Sequence, residues 1–101
     1  MTDDEALPSP LAESLDVLGA RWALLIVEAL LAGPRRFGDL QRSLSAPTNI
    51  LATRLRELQA AGVLVRLPKA HNVLAYGLTE RGETLRPAIE ALASWGRAGR
   101  G

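Results

Sequence analysis

The chain has 101 residues, of which 48% are hydrophobic, so it is long enough for one folded domain and too apolar to be intrinsically disordered. It contains no cysteine, which excludes disulfides, thiolate metal sites and cysteine nucleophiles. The net charge is only +1, yet residues 34–72 carry seven basic side chains against two acidic ones, and the rest sums to −4. A basic middle between acidic ends is typical of a surface that binds phosphates, although chance clustering on a solvated face gives the same pattern.

Nothing in the sequence indicates a membrane or secreted protein. The longest apolar run, residues 22–27, is too short to span a bilayer, and the first ten residues, "MTDDEALPSP", are acidic, unlike a signal peptide. We therefore expect a cytoplasmic protein with no membrane partner. A mobile tail over residues 1–7 is expected to precede a single domain over residues 8–96, and residues 97–101 form a second tail.

Two helices are predicted first. "PLAESLDVLG" places Leu11, Leu15 and Leu18 on one apolar stripe and closes on a glycine. "RWALLIVEALLAGP" is apolar nearly all round, which predicts a central buried helix ended by the Gly-Pro pair. "RRF" is then either a short strand or an extended connector, "GDLQRSL" predicts a brief helix, and "SAP" predicts a turn.

The segment "TNILATRLRELQAAG" predicts a helix with two unlike faces. At about 100° per residue, three leucines share one narrow face, Leu51, Leu55 and Leu58. The opposite face carries Asn49, Thr53 and Arg56, with Ala52 at its edge. The glycine of "AAG" is the expected left-handed stop.

A hairpin and a last helix complete the chain. "VLVRL" alternates Val63, Val65 and Leu67 with Arg66, "LAYGL" offers a second strand, and "PKAHNV" between them is a polar tip. "TERGETLRPAIEALASWG" predicts a helix with Thr79 as N-cap and acidic Glu80 in its first turn, which Pro87 either kinks or restarts. The fold class is therefore mainly α with a small β-hairpin, in the element order of a winged helix-turn-helix.

Four blocks carry a resemblance to a known family: "LDVLGARWALLIVEALLAGPRRFGDL", "TNILATRLRELQAAGVLVR", "YGLTERGETLRP" and "WG". In these, the chain resembles the HxlR-type winged-helix transcriptional regulators, relatives of the MarR family, over roughly residues 8–96. The resemblance implies a homodimer that binds double-stranded DNA at a palindromic operator. It further implies a recognition helix beginning near Thr48, a wing over residues 63–78, and a dimer interface formed by the first and last helices.

The chain departs from that family at two positions. Many members carry a redox-sensing cysteine directly before the proline that opens the first helix, and here that position is Ser9. Pro47 lies near the start of the recognition helix, which suits a first helical position but leaves the identity of the N-cap open.

The candidate DNA-binding residues fall into two groups, those expected to contact bases and those expected to contact phosphates. Asn can pair with an adenine edge, Arg with guanine N7 and O6, and the methyl of Thr or Ala with a thymine methyl. The candidates on the recognition helix are Thr48, Asn49, Ala52, Thr53 and Arg56. Phosphate or minor-groove candidates are Arg66 and Lys69 in the wing, and Arg36 and Arg42 before and within the preceding helix, with Arg35 beside them. Three questions stay open: whether Arg36 pairs with Asp39, whether Arg54 binds phosphate or packs its stem, and whether His71 and Asn72 act at all.

The last helix carries an apolar stripe that a domain this small does not easily bury alone. Its members are Ala88, Ile89, Leu92 and Trp95, and together with Leu11, Leu15 and Leu18 they are the candidate dimerisation residues. A small hydrophobic effector held at that interface is a further candidate partner.

Other classes of function find little support. One histidine, no cysteine, no glycine-rich phosphate loop and no carboxylate cluster leave no nucleophile–base pair, no metal site and no cofactor site to predict. We therefore expect no enzyme. The alternative to a DNA-binding regulator is a winged-helix protein-interaction module that does not bind DNA.

Overall fold

The computed structural model describes residues 9–68 and 74–100, and within these ranges the chain forms six helices and one two-stranded hairpin. Their bounds are α1 Pro10–Leu18, α2 Ala23–Leu30, α3 Phe37–Leu44, α4 Thr48–Ala60, β1 Leu64–Pro68, β2 Leu74–Leu78, α5 Glu80–Glu83 and α6 Arg86–Ala98. The predicted fold class is confirmed. None of the helices in these two ranges is long and apolar enough to cross a membrane. The predicted N-terminal tail lies outside the described residues, and α6 runs two residues into the predicted C-terminal one.

Leucines at helical spacing build the core. Its largest fully buried side chains come from α2, α3, α4 and β1: Ile26, Val27, Leu30, Leu40, Leu51, Leu55, Leu58 and Leu64. Burial of one such side chain stabilises the fold by about 1.5–3 kcal/mol, so the leucine face of α4 fixes which side of that helix is left for solvent. As predicted, α2 is the central buried helix, with Ala23, Ile26, Val27 and Leu30 in the core, but one side of it reaches the surface, where Leu25 is 46% exposed beside Glu28.

Helix α2 begins later than its apolar pattern indicates. Trp22 adopts the left-handed region, with φ of 80°, and occupies the N-cap position without a side-chain cap. The guanidinium of Arg21 lies 5.2 Å from the centroid of the Trp22 ring. These two residues therefore form a turn between α1 and α2 instead of the first turn of α2.

The hairpin is antiparallel, with Leu64 opposite Leu78 and Pro68 opposite Leu74. Arg35 forms an isolated bridge with Tyr76 on the other edge of β2, through backbone hydrogen bonds of 2.9 and 2.8 Å. The segment "RRF" is thus a one-residue strand contact that leads into α3.

The alternation in "VLVRL" does not mark the buried face of β1. Val63 is buried, but its N–H donates to the Leu58 carbonyl at 2.9 Å, so it belongs to the C-terminal cap of α4 after Gly62 (φ 78°). The strand starts one residue later, which turns Leu64 inward and leaves Val65 and Leu67 37% and 36% exposed.

Thr79 joins the hairpin to the last two helices. Its hydroxyl accepts a hydrogen bond from the Gly82 N–H at 3.0 Å, as the predicted N-cap should, and donates to the Gly62 carbonyl at 2.6 Å. Pro87 restarts the helix: α5 ends at Glu83, and α6 begins at Arg86 with the proline in its first turn.

Candidate nucleic-acid interface

Helices α3 and α4 form the helix-turn-helix, and a short turn holds them together. Ser45 takes the left-handed conformation that ends α3, and Ala46 is buried beneath the turn. Pro47 is the N-cap residue of α4, and its carbonyl accepts the first helical hydrogen bond from Leu51 at 2.9 Å. The start of α4 is therefore fixed relative to α3 mainly by backbone geometry.

Gln41 of α3 adds a side-chain tie, because its amide donates to the hydroxyl of Thr48 at the start of α4. The sequence analysis missed this residue. The sequence offers only a glutamine seven positions before Thr48, and the two side chains can meet only because the turn brings the two helices together.

The polar face of α4 points away from the core. Thr48, Asn49 and Arg56 are exposed, and Ala52 and Thr53 are half-buried. None of these five carries negative charge, so the face can approach a phosphate-lined groove without like-charge repulsion.

A hydrogen-bonded chain orders part of this face. The Thr53 hydroxyl donates to the Asn49 carbonyl at 2.9 Å, and a guanidinium nitrogen of Arg56 donates to the Thr53 hydroxyl at 3.3 Å. The only proton of that hydroxyl is therefore used within the helix, so the hydroxyl has none left to donate to a base.

Arg36, the N-cap residue of α3, and Arg42, in the last turn of that helix, share one carboxylate. Arg36 Nε lies 3.3 Å from Asp39 Oδ2, and Arg42 pairs with Oδ1 of the same residue. The hydrogen bond from Arg36 lowers the pKa of Asp39, and the charge of Arg42 acts in the same direction. The internal pairing of Arg36 is confirmed, and the cluster keeps one net positive charge on an exposed surface.

The wing is described only in its strands. Arg66 is exposed on β1, opposite Tyr76 on β2. The other wing candidates, Lys69, His71 and Asn72, lie outside the described residues. Arg54 takes the internal alternative: its Nε donates to the Arg21 carbonyl at 3.0 Å, and its side chain is 23% exposed.

The candidate dimerisation residues are exposed with two exceptions. Leu11, Leu15, Leu92 and Trp95 are 67%, 48%, 53% and 79% exposed, and Ala88 lies on the surface as well. Ile89 is 7% exposed and packs in the core of its own chain, and Leu18 is half-buried against that core. Of the predicted stripe on α6, Ile89 is therefore covered by its own chain and is not available to a second copy.

A helix-turn-helix followed by a hairpin defines the winged helix-turn-helix class. The family model described as "HxlR-like helix-turn-helix" matches residues 17–100. The chain belongs to this family.

Named relatives are helix-turn-helix regulators. An uncharacterized HTH-type transcriptional regulator of Mycobacterium bovis is 41% identical over 82% of this chain and 54% of its own length. The chain thus spans about half the length of that relative. The uncharacterized HTH-type transcriptional regulator YvaP of Bacillus subtilis is 34% identical over 82% of this chain and 80% of its own. Among solved structures, the reduced form of the redox regulator HypR superimposes with a TM-score of 0.82 at 33% identity, covering 91% of this chain and 94% of HypR.

Proposed function

We propose that this protein is a sequence-specific DNA-binding transcriptional regulator that acts as a homodimer on a palindromic operator. One observation carries the proposal: a helix-turn-helix presents a polar face of α4 whose candidate contact residues include no acid, while the leucines of the same helix anchor it in the core. Membership of a family whose relatives are HTH-type transcriptional regulators supports it.

The bases are recognised by side chains of α4. Asn49 suits an adenine edge and Arg56 suits the O6 and N7 of a guanine, while the methyls of Ala52 and Thr53 suit a thymine methyl. Thr48 lies in the first turn, where backbone N–H groups and the helix dipole favour a phosphate. The base-reading residues thus lie over the first two to three turns of α4.

Phosphate contacts come from the elements on either side of α4. Arg42, whose side chain is 73% exposed, extends from α3, and Arg36 precedes that helix. Arg66 and Lys69 belong to the wing. Such cations position the protein on the duplex without reading its sequence, and each displaces counterions, so binding weakens as salt rises.

The homodimer follows from the apolar side chains on the terminal helices. Leu11, Leu15, Leu92 and Trp95 are large and largely exposed, and a second copy of the same helices would cover them. A two-fold dimer places two recognition helices about one helical turn of DNA apart, which is why the operator is proposed to be palindromic.

Replacement of Arg56 and of Arg66 separates base contacts from phosphate contacts. Arg56→Ala is expected to weaken binding to the preferred operator by about 1–3 kcal/mol and to relax the preference at one base pair in each half-site. Arg66→Ala is expected to weaken binding to matched and scrambled duplexes alike, and to flatten the salt dependence by about one unit per subunit. Fluorescence anisotropy over a range of salt concentrations measures both quantities. If the two variants behaved alike on matched and scrambled DNA, the division between α4 and the wing would be wrong.

Oxidants are expected to leave operator binding unchanged. Thiol sensing needs a thiolate, and this sequence contains no cysteine, although HypR, a structural neighbour, is a redox regulator. Ser9 has a structural task instead, since its hydroxyl caps α1 by accepting from the Ala12 N–H at 3.0 Å. Anisotropy before and after moderate peroxide or diamide tests this; loss of binding with both tryptophans intact would reveal a sensor.

We propose as the signal a small molecule bound near the dimer interface, or the concentration of the protein itself.

A further inference from the structure

Arg54 lies on α4 but is turned away from its base-reading face. At about 100° per residue, Arg54 and Arg56 point roughly 160° apart around the helix axis. The Arg54 guanidinium donates through Nε to the Arg21 carbonyl at 3.0 Å, and its Nη1 lies 3.1 Å from the Glu57 carboxylate. Its side chain is 23% exposed, the lowest value among the ion-paired arginines of the described residues. One guanidinium therefore bonds a backbone group 33 residues away and a carboxylate of its own helix.

The acceptor belongs to the turn that joins α1 to α2. Arg21 directly precedes Trp22, whose φ of 80° is a conformation that bulky side chains rarely adopt. Such a conformation persists only where the surrounding contacts hold it. The Arg54 bond, together with the Arg21 guanidinium over the Trp22 ring, supplies two of those contacts.

The same guanidinium spans a cleft between α1 and α4. Asp16, Val17 and Ala20 line one wall, and Arg54, Glu57 and Ala61 line the other. The buried leucines anchor α4 in the core, and Arg54 adds a polar contact across this cleft. A planar group with two fixed partners holds its orientation better than a point charge does, because the guanidinium must keep both bonds at once.

We propose that Arg54 is a positioning residue that sets the orientation of α4 and couples it to the turn after α1. This inference rests on the proposed function, in that α4 is the helix that reads DNA and α1 contributes to the dimer interface. A change in α1, through dimerisation or a bound effector, then reaches the base-reading face through the Arg21 carbonyl and Arg54. Arg54 itself touches neither base nor phosphate.

The test compares Arg54→Ala and Arg54→Lys with Arg66→Ala. Operators recovered by selection from random DNA, and scrambled versions of them, are titrated by anisotropy at several salt concentrations. Arg54→Ala is expected to weaken operator binding roughly tenfold while binding to scrambled DNA and the salt slope stay at wild-type values. Arg54→Lys keeps the charge but replaces the planar guanidinium with an ammonium. It is expected to lose less operator affinity than Arg54→Ala, again with no change in binding to scrambled DNA. Arg66→Ala is expected to flatten the salt slope.

Hydrogen exchange measured by mass spectrometry on the DNA-free proteins tests whether Arg54 stabilises the turn at Arg21. Both Arg54 variants should exchange faster over residues 20–26, where the Ala23 N–H and Ile26 N–H bonds begin α2, and Arg66→Ala should not. Faster exchange throughout the chain would mean general destabilisation and would overturn the proposal.

The outcomes separate the two proposals. A wild-type protein that binds matched and scrambled DNA equally well would contradict the proposed function and the positioning role together. A specific wild type whose Arg54→Lys variant keeps full specificity and unchanged local exchange would contradict the positioning role alone, even if Arg54→Ala failed to fold. A flattened salt slope in either Arg54 variant would make Arg54 a phosphate contact.

Discussion

If the protein is the proposed homodimer, Leu92→Glu is expected to convert it into a folded monomer. Leu92 is 53% exposed within its own chain, so the substitution spares the core, but in the dimer it would bury a carboxylate in an apolar contact. An unpaired buried charge costs several kcal/mol, which separation of the subunits relieves. Size-exclusion chromatography with light scattering reads the mass, and circular dichroism confirms the fold.

Ser94→Glu is the matched control for that experiment. It adds the same carboxylate to the exposed surface of α6, but about 160° around the helix axis from Leu92 and about 100° from Trp95. The control is expected to remain a dimer with wild-type affinity for DNA, whereas Leu92→Glu loses most operator binding because a monomer engages one half-site at a time. A folded Leu92→Glu dimer would remove this side of α6 from the interface.

Gly82→Ala is expected to destabilise the domain by on the order of 3 kcal/mol, through overpacking. A Cβ at Gly82 would lie 2.2 Å from the carbonyl oxygen of Val63, which is backbone and cannot swing aside. To relieve that contact, α5 must move off the end of α4 and weaken the bond between Thr79 and the Gly82 N–H. The melting temperature should fall by about 4–8 °C per kcal/mol in a domain of this size.

Gly38→Ala provides the comparison. Gly38 is also helical, but the nearest atom to its added Cβ is the flexible end of Arg42 at 3.4 Å. Because alanine favours helix over glycine by roughly 0.5–1 kcal/mol, this variant is expected to melt at or above the wild-type temperature. Equal melting temperatures for the two variants would show that α5 does not rest on the Val63 backbone.

The helix-turn-helix could be predicted from sequence because its determinants are local. Leucines at helical spacing in α4 bury one face whatever the partners, so the opposite face and four of the candidates, Asn49, Ala52, Thr53 and Arg56, followed from periodicity. The N-cap at Thr79 and the helix restart at Pro87 are likewise set by side-chain and ring chemistry within one turn. Such features need no knowledge of the rest of the fold.

What could not be predicted depends on contacts between distant segments. An apolar side chain on α6 is equally consistent with core and interface, and only packing against α2 shows that Ile89 is core while Leu92 is not. The alternation in the sequence predicted the wrong buried face for β1, because Val63 belongs to the C-terminal cap of α4. The late start of α2 depends on the left-handed backbone conformation of Trp22. The hydrogen bond from the Arg54 side chain to the Arg21 carbonyl joins residues that are 33 positions apart, and no periodic pattern in the sequence indicates it.

Selection of bound sequences from random double-stranded DNA tests the central claim most directly. If α4 reads bases and the terminal helices pair two chains, the recovered sequences will converge on a palindrome. Its half-sites will lie about one helical turn apart, and binding to it will weaken steeply as salt rises. Convergence on a single, non-repeated half-site would contradict the homodimer. Recovery of no preferred sequence, with no salt-dependent binding to any duplex, would contradict DNA reading itself and leave a winged-helix protein-interaction module.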